Sequence, residues 1–67
     1  MTSIIIKEYN RLLDHAKEEL ANDPGNYQIK YHFLALINEL MVVAVELGLI
    51  SEEEKELEGI KAIKELI

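Results

Sequence analysis

Cysteine and tryptophan are absent from this chain, proline occurs once and histidine twice. Without cysteine there is no disulfide and no thiolate ligand, and two histidines alone cannot close a tetrahedral metal site. A chain of 67 residues holds one domain, which buries only about 60% of the surface its unfolded form exposes. Small folds without disulfides or metals lean on self-association, so some of the 49% apolar residues are expected at an interface. Positive charge is also scarce. Seven Lys and Arg stand against 13 Asp and Glu, a formal charge of −6 and a pI near 4.7, which argues against nucleic acid or anionic lipid as a partner. The three glycines, Gly25, Gly48 and Gly59, are far apart and follow no strand, so no phosphate-binding loop is present. The start, Met1-Thr2-Ser3-Ile4-Ile5-Ile6-Lys7-Glu8, lacks the basic region and long apolar core of a signal peptide. With the missing cysteines, this leads us to expect a cytoplasmic protein.

What is present is helical periodicity. Ile5, Tyr9, Leu12, Ala16 and Leu20 recur at helical spacing, widened by Ile6 and Leu13, and predict an amphipathic helix over about 3–21. Asn22-Asp23-Pro24-Gly25-Asn26 breaks it, and Asp23-Pro24 reads as the N-cap and first-turn pair of a second helix, about 24–47, starting at Pro24 or Asn26. Gly48 suits the left-handed position after that helix. Gln28, His32, Glu39 and Glu46 fall on one line of the second helix, and most of the rest from Phe33 onward is apolar. Two flanking helices cannot cover so much apolar circumference, so a second copy is expected against Leu36, Leu40, Val43 and Leu47. The stretch from Phe33 to Ile50 approaches membrane-spanning length, but Asn38, Glu39, Glu46 and Gly48 interrupt it, and it reads as core with no membrane contact.

Ser51-Glu52-Glu53-Glu54 is a capping box that opens a third helix, about 51–66, with carboxylates at the positive end of the helix dipole. Leu57, Ile60, Ile63 and Ile67, flanked by Ala62 and Leu66, form its apolar stripe and are expected to face inward. Gly59 in its middle suggests a close backbone approach. The segment ELGLISEEEKELEGIKAIKEL resembles the short C-terminal oligomerisation (SHOCT-like) domains over about residues 36–66. That family's pattern is a leucine-rich helix, a Gly-hydrophobic-Ile-Ser/Thr-Glu-Glu-Glu turn and a second short helix, with an aromatic where this chain has Lys55-Glu56-Leu57. The resemblance implies a helical hairpin used for self-association or docking.

Candidate chemistry is thin. His15 and Glu19, four residues apart, share a helix face, but two ligands on an exposed helix make no closed metal site. His32 reads as a helix-edge residue. Ser3 and Ser51 are the only serines and neither has a plausible base, so no catalytic residue, cofactor or metal ligand is assigned. Tyr9, Tyr27, Tyr31 and Phe33 read as core or core edge. A helix-turn-helix reading would present Glu52, Glu53 and Glu54 to DNA, which phosphate repels. The expectation is an all-α, three-helix domain completed by homo-oligomerisation, a non-catalytic module that binds itself and another protein. The alternative is an acidic inhibitor or antitoxin-like protein whose Glu52, Glu53 and Glu56 occupy a basic surface of its target.

Overall fold

The computed structural model describes residues 3–67, with side chains from residue 4 onward. Met1, Thr2 and the Ser3 side chain lie outside the described residues. So do the parts of the leader reading and of the serine reading that fall on them. Three helices follow in order, α1 Ser3–Asn22, α2 Tyr27–Glu46 and α3 Glu52–Leu66. The connections are short, which makes sequential helices antiparallel neighbours and sets α1 and α3 parallel. The resulting three-helix bundle has a Cα radius of gyration of 11.9 Å.

In α1 the expected stripe is the buried one: Ile5, Tyr9, Leu12, Leu13 and Ala16 enter the core, Leu20 packs against it, and Ile6 stays at the exposed edge. The second helix takes the later of its two expected starts, with Asn26 as its cap and Tyr27 as its first residue. The Asn26 amide donates to the Asp23 carbonyl at 3.1 Å, closing a turn with Pro24 and Gly25 at its centre. Asn26, not Asp23, is the N-cap, its Oδ1 accepting from the amides of Gln28 (2.9 Å) and Ile29 (3.2 Å). Proline suits the second position of a turn as well as it suits the first of a helix. Starting the helix at Pro24 would place Gly25 inside it and forgo the Asn26 cap, so the turn wins. Asp23 instead accepts from the Asn26 side chain at 3.0 Å.

Both ends of the second connection follow local chemistry. The Leu49 amide donates to the Ala44 carbonyl (2.9 Å) and the Gly48 amide to that of Val45 (3.0 Å). Gly48 has a φ of +74°, the left-handed residue of a Schellman motif. Ile50 is buried and pins the loop. Ser51 then caps α3 reciprocally: the Glu54 amide donates to Ser51 Oγ and the Ser51 amide to Glu54 Oε1, each at 3.1 Å.

The orientation of α3 corrects the sequence expectation. Its buried residues are Ala62 and Leu66, with Lys55, Glu58 and Gly59 half-buried, while Leu57, Ile60, Ile63 and Ile67 are exposed. Small side chains let α3 lie against Phe33, Ile37, Met41 and Ala44, the buried line of α2. The large aliphatics form their own stripe on the other side. Nor does a neighbour crowd Gly59: a Cβ built there meets nothing within 4 Å. Tyr9 Oη donates to the Glu58 carbonyl at 3.2 Å, and Lys17 pairs with Glu65 at 2.6 Å, tying α1 to α3.

Candidate functional site

The chemistry-bearing side chains disperse rather than converge. His15 and His32 each set their rings edge-on to Phe33, with centroids 5.6 and 5.3 Å away. Among the described residues no three His, Asp or Glu side chains gather closely enough to hold a metal ion. Ser51 is occupied as a helix cap. Tyr9 and Phe33 are buried as expected, but Tyr27 and Tyr31 are exposed at the start of α2. They stack on one another at 6.1 Å, with the Lys30 ammonium 4.9 Å from the Tyr27 ring. One turn apart on the solvent side of α2, they shield each other where no helix is available to cover them.

What does assemble is apolar surface, in two lanes. The first runs along α2 through the four residues expected at an interface. Leu36, Val43 and Leu47 are 37, 50 and 68% exposed, with Leu40 half-buried between them. Their spacing of four, three and four residues keeps them on one helix face. A shallow groove beside them is lined by Leu36, Glu39, Leu40 and Val43 from α2 and by Glu8, Arg11 and Leu12 from α1. Glu8 and Arg11 are paired in its wall, the Arg11 Nε lying 3.0 Å from Glu8 Oε1. That guanidinium holds the Glu8 carboxyl below its ordinary pKa.

The second lane is the α3 stripe, which sequence periodicity recognised as one face but aimed inward. Leu57, Ile60, Ile63 and Ile67 are 58, 51, 50 and 60% exposed. A small groove between α2 and α3 adjoins it, with Ile63 on its rim and Leu34, Ile37, Met41, Gly59 and Ala62 inside. The α3 charges divide sharply. Glu52 lies 4.0 Å from Lys55, Glu58 pairs with Lys61 at 3.3 Å and Glu65 with Lys17, while Glu54 closes the capping box. Glu53, Glu56 and Lys64 have no such partner among the described residues.

Of the three carboxylates expected to meet a partner, Glu52, Glu53 and Glu56, all are exposed, and Glu52 already faces Lys55. The α2 helix, 20 residues long, is also apolar enough to cross a membrane by length and composition. Core helices of soluble proteins pass the same test when mostly buried; here Phe33, Ile37, Met41 and Ala44 are buried in the bundle, and 22% of the apolar window is buried in all. No protein-family model, curated protein or solved structure matches the chain.

Proposed function

We propose that the chain is a small non-catalytic helical interaction module that self-associates and acts by docking another protein. The observation that carries this reading is the gathering of exposed aliphatic side chains into two continuous lanes. Apolar side chains scattered singly over a surface are ordinary, whereas contiguous ones mark interfaces. The lane Leu36, Leu40, Val43 and Leu47 is a docking surface for a second polypeptide, its groove offering an apolar floor with the Glu8–Arg11 pair and Glu39 at the edge. The resemblance of residues 36–66 to short oligomerisation domains points the same way. Protein, not lipid, covers α2 in this reading, because Glu39 and Glu46 on its exposed side oppose burial in hydrocarbon. Such a module belongs in the cytoplasm and needs no cofactor.

A second reading, an acidic inhibitor that sets Glu52, Glu53 and Glu56 on a basic target, is favoured by the unpaired state of Glu53 and Glu56. Salt separates the two. Binding through apolar lanes survives high ionic strength, and binding through carboxylates weakens steeply. Light scattering coupled to size exclusion tests the primary reading, with particles larger than one chain expected at micromolar concentration. A cooperatively folded monomer that persists to millimolar concentration overturns it.

A further inference from the structure

We propose that the outer face of α3 is the self-association surface, pairing antiparallel with α3 of a second copy about a two-fold axis at Ile60. The inference rests on the interaction-module reading and assigns the second copy to one of the two lanes, leaving the α2 lane for a different protein. Its basis is the order of residues along one face. At 100° per residue, Glu53, Glu56, Leu57, Ile60, Ile63, Lys64 and Ile67 lie within about 60° of Ile60, an arc that excludes Ala62 and Leu66 and has Ile63 at its edge toward the α2–α3 groove. This face holds the large exposed aliphatics together with the three charged residues of the helix that lack a partner.

An isologous interface must complement itself, residue i meeting j while j meets i. Antiparallel pairing centred on Ile60 does this for every member of the stripe. Ile60 meets Ile60 of the second copy, Leu57 meets Ile63, Glu56 meets Lys64, and Glu53 lies beside Ile67 within a turn of the same lysine. The apolar residues form the centre and opposite charges flank it, the arrangement by which flanking charges set orientation in paired helices. Parallel pairing instead places glutamate beside glutamate and lysine beside lysine, which repel. Along α2 itself the other lane has no such self-complementarity, and the Arg11 guanidinium in the adjoining groove wall is already paired with Glu8. That lane's flanking charges on α2 are Glu39 and Glu46, and Lys30, the sole cation of α2, lies more than one turn before Leu36.

Sedimentation equilibrium on the full chain and its charge variants tests the pairing, with circular dichroism to check that each is helical. The wild type is expected to dimerise. Each single reversal, Glu56→Lys or Lys64→Glu, turns two attractive pairs into two repulsive ones and should weaken the dimer by about ten- to thirtyfold. The double variant Glu56→Lys with Lys64→Glu restores the pairs in opposite sense and should return the dissociation constant to within about threefold of wild type. Glu18→Lys on α1 makes the charge change of Glu56→Lys off the face, and Lys7→Glu makes that of Lys64→Glu, so the two control for net charge. A wild type that stays monomeric overturns the α3 pairing and removes self-association from the function. A dimer indifferent to the α3 reversals but lost on Val43→Lys overturns the α3 pairing alone and moves the contact to α2. Single reversals that weaken the dimer without rescue in the double variant also overturn it, because rescue is what antiparallel register requires.

Discussion

Replacing Gly59 by alanine should stabilise the protein. Glycine in a helix interior is less favourable than alanine by about 1 kcal/mol, chiefly because its unfolded backbone has more conformations to lose. Realising that gain requires room for a methyl group. A Cβ at Gly59 meets nothing within 4 Å, and Gly59 lies within α3, its φ outside the left-handed region. No clash or strain therefore offsets the gain, and the full increment of about 1 kcal/mol is expected, or about 4–8 °C in Tm for a domain of this size. Thermal and urea unfolding followed by circular dichroism at one fixed protein concentration measure it, with an unchanged urea slope showing that the same surface is exposed. Gly59 is off the Ile60-centred face, so dimer dissociation should not move. A Gly59→Ala variant that is less stable than wild type would refute the reasoning, since it would require a neighbour pressed against this glycine.

The same substitution at Gly48 has the opposite sign. With φ at +74°, alanine there should destabilise by about 1 kcal/mol, read as a lower urea midpoint, although its Cβ too meets open space. Ser51→Ala removes the acceptor for the Glu54 amide and should lower stability by about 1 kcal/mol in the same assay. The Ser51 backbone amide holds the Glu54 carboxyl below its ordinary pKa. Because the folded value is the lower one, the contribution is complete above the unfolded pKa and disappears as pH falls through the folded value. Unfolding midpoints measured from about pH 6 to pH 3 should therefore decline less steeply for Glu54→Gln than for wild type.

Local chemistry was the most legible part of this sequence. The Ser51 capping box and the Gly48 terminus each depend on a few adjacent residues, and the structure places both where the sequence does. At Asp23-Pro24 two local devices compete for one proline, and the choice was decided two residues later by the side chain of Asn26. The α3 error is of another kind. A helical period shows that Leu57, Ile60, Ile63 and Ile67 share a face, but it carries no sign telling whether that face turns toward the same chain or away from it. In an ordinary bundle the larger residues take the inside. Here Lys55, Gly59, Ala62 and Leu66 occupy that side, and nothing in the period of the apolar residues marks it as the inner one. The exposure of Leu36, Val43 and Leu47 was legible because two flanking helices leave that side of a long apolar helix open.

The thin inner face of α3 also governs how the protein opens. Two residues of α3 are buried, Ala62 and Leu66, against four in α2 and five in α1, so α3 has the weakest apolar hold on the remainder. Stability in a protein is distributed unevenly, and backbone amides exchange hydrogen through the cheapest opening that frees them. Detachment of α3 about the Leu47–Ser51 connection is the expected opening, and amide exchange in α1 and α2 should require wider unfolding. If the least anchored helix also carries the contact between copies, association resists its detachment by mass action. Slowing of amide exchange with rising protein concentration should then be greatest in α3, making the helix that is loosest in the monomer the one most protected by its partner.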